Sequence, residues 1–142
     1  MELIPIRVCS KRKSGVKQGT LQEIYPCHML QAFFKAFGTF AVLSRKNGIC
    51  FSWDIAENYG DWQEKDVAKL RNVLTRQARD PAFNRYTYLY WNHRPLTHAC
   101  FVQMLRDAGF TVLEFRTLAA IREFMLGQEA ETTIPNQEAN EQ

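Results

Sequence analysis

The fold is decided by an N-terminal stretch that reads Leu3-Ile4-Pro5-Ile6-Arg7-Val8-Cys9 and by the residues after it. Apolar side chains alternate along residues 3–9, which predicts a β-strand. The strand runs into the polar, basic segment Ser10-Lys11-Arg12-Lys13-Ser14-Gly15, and a helical pattern follows. A strand that leads through a polar loop into a helix is the first half of a β-α-β unit. The same order recurs along the chain.

Strands and helices alternate in the rest of the sequence. The predicted strands cover residues 3–9, 39–44, 86–91 and 110–115; one predicted helix lies between Thr20 and Gly38, and others cover residues 61–79, 96–108 and 118–126. This alternation is typical of a parallel sheet with helices on both faces. We therefore expect a three-layer α/β fold with a mostly parallel, four-stranded sheet.

Several local features accompany this assignment. Thr20 and Glu23 have the spacing of a capping box, and Asp61 precedes Glu64 in the same way. Gly109 and the pair Asp80-Pro81 are expected to end helices, and Thr117 to begin one. The helix over residues 96–108 is expected to turn a set of small and apolar side chains inward, namely Leu96, Ala99, Cys100, Met104, Leu105 and Ala108.

Length and charge define one domain and a tail. The chain has 142 residues, of which 46% are hydrophobic and 23% charged, as in a soluble globular protein. Residues 128–142 hold four Glu and no Lys or Arg, and are expected to form a disordered acidic tail. Residues 1–127, the expected single domain, carry 18 basic and 11 acidic side chains, a formal net charge of +7. This charge is compatible with an anionic ligand.

Several classes of protein are excluded by pattern. No apolar run is long enough to span a bilayer, and the N-terminal residues lack the order of a signal peptide, so a cytoplasmic protein without membrane contact is expected. The four cysteines (Cys9, Cys27, Cys50, Cys100) form no C-x-x-C pair, so we expect reduced thiols and no metal site. Catalytic-triad, Walker, G-x-G-x-x-G and H-E-x-x-H motifs are absent, and no cofactor is expected.

Three segments follow predicted strands at the edge where parallel sheets bind ligands. Ser10, Lys11 and Lys13 would suit a phosphate, although a solvated basic loop is an equally good interpretation. Residues 49–62 offer the acids Glu57 and Asp61 and the stacking faces of Tyr59 and Trp62. Alternatively, Trp53 and Trp62 cover a core edge and the carboxylates are solvated or cap helices.

The third segment is Asn92-His93-Arg94-Pro95, which follows the strand over residues 86–91. It would place His93 or Arg94 near the same rim. The other histidines, His28 and His98, fall within or beside predicted helices, and a structural role is expected for both.

Four motifs occur in one order and spacing, and together they resemble a known family. They are Val8-Cys9-Ser10-Lys11-Arg12-Lys13, Leu21-Gln22-Glu23-Ile24-Tyr25, Leu43-Ser44-Arg45-Lys46-Asn47-Gly48 and Glu57-Asn58-Tyr59. The pattern resembles small uncharacterised bacterial and phage proteins with a strand-end Cys-Gly/Ser-x-Lys-Lys motif. A related opening occurs in a domain of archaeal tRNA-guanine transglycosylases, and both resemble the α/β fold of uracil-DNA glycosylases. The resemblance by motif covers about residues 4–62.

The resemblance implies a shared pocket, lined by Cys9, Lys11, Lys13, Tyr25, Ser44, Lys46, Gly48, Glu57 and Tyr59. This sequence departs from the family at Arg45, Asn47 and Asn58, where the family has a small residue, His and Pro. The missing His weakens the expectation of an active catalyst.

Two functions follow as hypotheses. The first is an enzyme that cleaves the N-glycosidic bond of a modified nucleoside, in nucleic acid or as a nucleotide, with Glu57 and Cys9 as candidate catalytic residues. Glu57 would stabilise positive charge on the sugar or orient water, lysines would bind phosphates, and Tyr25 or Tyr59 would stack on the base. Cys9 is alternatively a small strand-end residue. The second hypothesis is a non-catalytic module that binds nucleotides, nucleic acid or a protein, for example a phage accessory or anti-defence protein.

Overall fold

A computed structural model describes residues 2–9, 18–20, 28–44, 47–57 and 67–133 of the chain. The strands are β1 (Glu2–Cys9), β2 (Gln18–Thr20), β3 (Ala41–Ser44), β4 (Gly48–Phe51), β5 (Ile55–Glu57), β6 (Tyr86–Trp91) and β7 (Thr111–Phe115). The helices are α1 (His28–Ala36), α2 (Val67–Gln77), α3 (Pro81–Asn84), α4 (Pro95–Ala108) and α5 (Leu118–Thr133). No helix in these ranges is long and apolar enough to cross a membrane.

The main sheet has five strands in the order β4-β3-β1-β6-β7. Strands β3, β1, β6 and β7 are mutually parallel, whereas β4 runs antiparallel to β3. The expected four-stranded, mostly parallel sheet is therefore corrected to a mixed sheet of five strands. A separate antiparallel pair joins β2 to β5.

The additional strand β4 arises from a tight return after β3. The backbone N–H of Asn47 donates to the Ser44 hydroxyl oxygen over 3.2 Å, and Gly48 has the left-handed φ of +77°. Only glycine adopts such a φ readily. The apolar run that begins at Ile49 consequently folds back on β3, so a segment expected to be an irregular loop becomes a strand.

Both faces of the sheet are covered. On one face, Ile4, Ile6, Leu43 and Tyr88 form a core cluster with Leu70 of α2 and Phe101 of α4. On the other face, Val42, Leu89 and Trp91 pack with Phe33 of α1 and Ile121 of α5. Burial on both faces explains why the strand residues of β3 and β6 are all buried. The α/β class and the presence of helices on both faces are confirmed.

The connections place a topological switch point between β1 and β6. These neighbouring strands pair in parallel, with Ile6 opposite Tyr90. Within the described ranges, α1 lies between β1 and β3 in the chain and packs on one face of the sheet, whereas α4 follows β6 and packs on the other face. Connections that diverge in this way open a crevice at the carboxyl ends of the two strands, where α/β proteins bind ligands.

Several local predictions are corrected by the structure. Thr20 is the last residue of β2, opposite Ile55, and the helix that it was expected to cap would begin in residues 21–27, which lie outside the described ranges. Leu96, Ala99 and Cys100 are exposed, because α4 buries the face that carries His98, Phe101, Val102 and Leu105 instead. Helix α5 continues to Thr133, beyond the predicted helix end at residue 126, because Gly127 has no left-handed φ and the following Gln, Glu and Ala favour helix. Asp61 and residues 134–142 lie outside the described residues.

Other local predictions are confirmed. Gly109 ends α4 with a left-handed φ of 114°. The Thr117 hydroxyl oxygen accepts a hydrogen bond from the Ala120 N–H over 3.0 Å and so begins α5. Asp80 follows the end of α2 and caps the short helix α3.

Candidate functional site

Three of the residues expected to line a pocket form one row across the sheet. Cys9, the last residue of β1, is in register with Ser44, the last residue of β3. Ser44 is in turn opposite Gly48, the first residue of β4. The backbone therefore brings these positions together at the carboxyl edge of the parallel strands.

Ser44 and Gly48 both have structural tasks in this row. Ser44 is buried and its hydroxyl oxygen accepts the Asn47 N–H, as described above. A Cβ atom at position 48 would lie 2.5 Å from Oε1 of Gln77 and 2.8 Å from Cγ1 of Val73. The turn into β4 and the close approach of α2 thus account for a serine and a glycine at these positions without a ligand.

Of the remaining predicted site residues, Glu57 belongs to the two-stranded sheet and not to this row. Glu57 ends β5, where its backbone is in register with Gln18 of the two-stranded sheet. Ser10, Lys11, Lys13, Tyr25, Lys46 and Tyr59 lie outside the described residues.

A different set of side chains lies at the switch point, and Arg7 is at its centre. The Arg7 side chain is in the body of β1 and is 6% exposed. Its Nη1 lies 2.8 Å from Nδ1 of His93 and donates to the Trp91 carbonyl oxygen over 3.5 Å. Its guanidinium carbon lies 4.7 Å from the centre of the Trp91 ring. We call Arg7, Trp91, Asn92, His93 and Arg94 the switch-point rim.

Arg7 determines the protonation of His93. A guanidinium has only donors, so Nδ1 of His93 must accept and the proton of the neutral imidazole is carried by Nε2. Partial burial lowers the pKa of His93, and the charges of Arg7 and Arg94 lower it further. His93 is therefore a neutral hydrogen-bond donor at neutral pH.

His93 also contacts an aromatic cluster beneath the rim. Its ring centre lies 5.4 Å from that of Trp91, with the two rings tilted. It lies 5.8 Å from that of His98, and these two rings meet edge-on. His98 is buried and its Nδ1 lies 3.4 Å from the Tyr90 hydroxyl group. These contacts fix the His93 ring from below, and they agree with the structural role expected for His98.

Asn92 connects the rim to strand β7. It is fully buried, its backbone N–H donates to the Phe115 carbonyl oxygen, and its side-chain Nδ2 donates to Oε2 of Glu114 over 2.5 Å. Within the described part of the chain, Asn92 Oδ1 and Trp91 Nε1 are buried without hydrogen-bond partners. Buried polar atoms are nearly always paired, so these two unpaired atoms set the rim apart from the rest of the described core.

The outer boundary of the rim is exposed and positively charged. Arg94 is exposed and precedes α4, whose first turn has no side-chain cap. Leu96 in that turn is 99% exposed, which is unusual for a large apolar side chain. The exposed Arg94 guanidinium and the positive end of the helix dipole favour an anionic ligand at this boundary, and Leu96 adds an apolar surface beside them.

Sequence reasoning located part of this rim. The segment over residues 92–95 was expected at the carboxyl edge, and the structure places His93 and Arg94 there. Arg7 was missed because a single Arg in an alternating strand is usually solvent-facing. In a sheet covered on both faces, however, a charge inside an apolar strand is itself a signal of a special role.

Comparison of the chain with protein-family models, curated protein sequences and solved structures finds no match. Among the described residues, no three His, Cys, Asp or Glu side chains form a group that could hold a metal ion. The site therefore has to be interpreted from its own geometry.

Proposed function

We propose that the switch-point rim binds a nucleotide or a base of nucleic acid, and that the protein hydrolyses its N-glycosidic bond. The observation that carries this proposal is the neutral His93, whose Nδ1 faces the buried Arg7 and whose Nε2–H remains as a donor. The α/β fold with helices on both faces and the resemblance of residues 4–62 to proteins with a uracil-DNA-glycosylase-like fold support the same function.

The chemistry of the reaction matches a neutral donor. When an N-glycosidic bond breaks, its electron pair stays on the leaving base and positive charge develops on the sugar. A fixed N–H group aimed at an oxygen or nitrogen of the base stabilises the developing negative charge. A neutral imidazole fills this role without the repulsion that an imidazolium would exert on the cationic sugar.

The surroundings of His93 suit the other parts of a nucleotide. Arg94 and the first turn of α4 would contact a phosphate, and Leu96 would contact an apolar base or sugar face. Lys11, Lys13 and Lys46 remain candidate phosphate ligands, Tyr25 and Tyr59 candidate stacking residues, and Glu57 a candidate carboxylate.

The test is base release from single-stranded DNA and RNA oligonucleotides that contain deaminated, oxidised or alkylated bases, measured by chromatography. Replacement of His93 with Gln is expected to slow release by at least about 100-fold, while affinity for the oligonucleotide changes by less than about tenfold. His28→Gln, at the start of α1, is the matched control and should behave as the unchanged protein. Absence of both binding and base release would contradict the proposal.

A second candidate, a non-catalytic binding module, is favoured by a different surface. Trp53 is 56% exposed and its ring stacks on Phe51 at 4.7 Å, with an angle of 4° between the planes. A large aromatic face held open in this way is typical of interaction sites. Trp53→Ala should weaken binding of the nucleotide, nucleic acid or protein that this module takes, without changing base release. If base release is absent but nucleic acid binds with a steep dependence on salt, this candidate replaces the first.

A further inference from the structure

We propose that Glu114 is a catalytic carboxylate of the switch-point rim and that Asn92 is its positioning residue. This assignment rests on the proposed function and deepens it, because it supplies the negative group that the cationic sugar requires. The sequence alone does not single out Glu114, which is one acidic residue in a predicted strand.

The first observation is the position of Glu114 in the sheet. It is the penultimate residue of β7 and lies in register with Tyr90, close to the carboxyl end of β6. Neighbouring strands are about 4.8 Å apart, so the carboxylate is one strand away from the rim. Glu114 is exposed, and a ligand at this edge can reach it.

The second observation is that a buried amide holds the carboxylate. Nδ2 of Asn92 donates to Oε2 of Glu114 over 2.5 Å, and Asn92 is 0% exposed. The Asn92 backbone is fixed as well, because its N–H donates to the Phe115 carbonyl oxygen over 2.7 Å. A carboxylate that accepts from a buried, doubly anchored residue keeps a defined orientation, as catalytic groups require.

The third observation concerns the orientation of the amide. A carboxylate accepts hydrogen bonds, so the NH2 group of Asn92 must face Glu114 and its Oδ1 must face away. If the Asn92 amide were turned by 180°, its Oδ1 would face the Glu114 carboxylate oxygen and the two would repel. The observed orientation avoids this repulsion, although it leaves Oδ1 buried without a described partner. Oε1 of Glu114 has no hydrogen-bond partner within the described ranges and is left for a substrate or water.

Asn92 also links Glu114 to His93. His93 is the next residue in the chain, and its ring contacts His98, which contacts Tyr90, the register partner of Glu114. Asn92 thus holds the carboxylate through its side chain and is followed in the chain by the imidazole donor. A carboxylate for the cationic sugar and a neutral donor for the leaving base are the two groups that cleavage of the glycosidic bond needs.

The step that follows is balanced in atoms and charge. The bond between the sugar carbon and the base nitrogen breaks, and its electron pair stays on the base, which accepts a hydrogen bond from Nε2 of His93. A water oxygen bonds to the sugar carbon and loses a proton to the Glu114 carboxylate. Solvent returns a proton to the base and removes one from Glu114.

The decisive experiment compares Glu114→Gln with two other replacements of Glu by Gln on the same oligonucleotide panel. Glu114→Gln should reduce single-turnover base release by at least about 100-fold while the oligonucleotide Kd stays within about threefold. Glu123→Gln, an exposed position on α5, is the control and should match the unchanged protein. Glu57→Gln tests the other candidate carboxylate.

The outcomes separate this inference from the proposed function. If Glu114→Gln releases base at the rate of the unchanged protein, or if only Glu57→Gln is inactive, Glu114 is not the carboxylate and the proposed function stands. If the unchanged protein neither binds nor cleaves the panel, both are overturned. Asn92→Ala, checked for folding by circular dichroism, should lower kcat with KM nearly unchanged; equal losses of binding and folding would contradict a positioning role.

Discussion

Arg7 is a charged side chain in the middle of a covered sheet. Burial of a guanidinium is costly unless its donors are paired and its charge is stabilised. Here the group lies over the Trp91 ring and faces His93 and a backbone carbonyl oxygen. A cation over an indole face gains roughly 1–2 kcal/mol when partly desolvated, which offsets part of the burial cost. The result is a rigid link between the interior of the sheet and the residue that we place at the reacting bond.

The lowered pKa of His93 has a consequence for stability. Below the ordinary histidine pKa of about 6.5, the unfolded chain binds a proton at this position that the folded chain binds more weakly. Stability should therefore fall as the pH drops through this value, and His93→Gln should lose less stability over the same interval. Urea unfolding at pH values from about 7.5 to about 5 measures the difference. An identical decrease in both proteins would contradict the assignment of the lowered pKa to His93.

At this scale, His93 and Arg94 could be predicted because they follow a strand directly. Arg7 and Glu114 could not, because their importance comes from partners that are distant in the chain. Arg7 meets His93 across 86 positions, and Glu114 meets Asn92 across 22. No local pattern contains such pairs.

Among the elements, strand β4 is the outermost strand at one edge of the main sheet. An open edge offers unpaired N–H and C=O groups to other chains. Gln77 of α2 covers this edge: its Oε1 accepts the Ile49 N–H over 2.9 Å, and its Nε2 donates to the Ile49 carbonyl oxygen over 3.1 Å. One side-chain amide thus takes the place of a neighbouring strand residue.

Removal of this amide should expose the edge. Gln77→Ala should destabilise the fold by about 1–3 kcal/mol and speed hydrogen exchange at Ile49, because a part-buried donor and acceptor lose their partners. Gln103→Ala is the matched control, since Gln103 is exposed on α4 and bonds only to Asp107. Chemical unfolding and amide exchange measure both effects. Equal stability of the two variants would show that Gln77 does not support β4.

The turn into β4 gives a second test at this scale. Gly48→Ala should destabilise the protein by about 1–3 kcal/mol, because alanine resists a φ of +77° and its Cβ would collide with Gln77. Gly38→Ala is the control, since no atom lies within 4 Å of a Cβ at that position. Chemical unfolding of both variants provides the comparison. A Gly48→Ala protein as stable as the Gly38→Ala protein would contradict the structural role of Gly48.

The elements with a clear apolar pattern could be predicted from the sequence, whereas β2, β4 and β5 could not. Helix α4 has 14 residues between the clear boundary residues Pro95 and Gly109, and β6 is an unbroken run of six residues rich in aromatic side chains. By contrast, β2, β4 and β5 have three or four residues each and depend on pairing partners outside their own sequence.

The whole molecule combines these parts around one switch point. In the described part of the chain, β3 lies beside β1 on one side and β7 lies beside β6 on the other, and the carboxyl ends of the neighbouring strands β1 and β6 carry the buried Arg7 and the rim residues. The opposite end of β1 carries an exposed ion pair between Glu2 and Arg85 at 3.7 Å. Such an exposed pair contributes little to stability.

The most direct test is an NMR titration of the 15N-labelled protein with nucleoside monophosphates and a short single-stranded oligonucleotide. Ligand binding at the switch point should shift the Nε2 signal of His93 and the amide signals of Asn92, Arg94, Leu96 and Glu114. Signals from Glu2, Arg85 and Tyr86, at the opposite end of the sheet, should not move. Shifts confined to that opposite end, or no shifts at millimolar ligand, would contradict the assignment of the switch-point rim as the functional site.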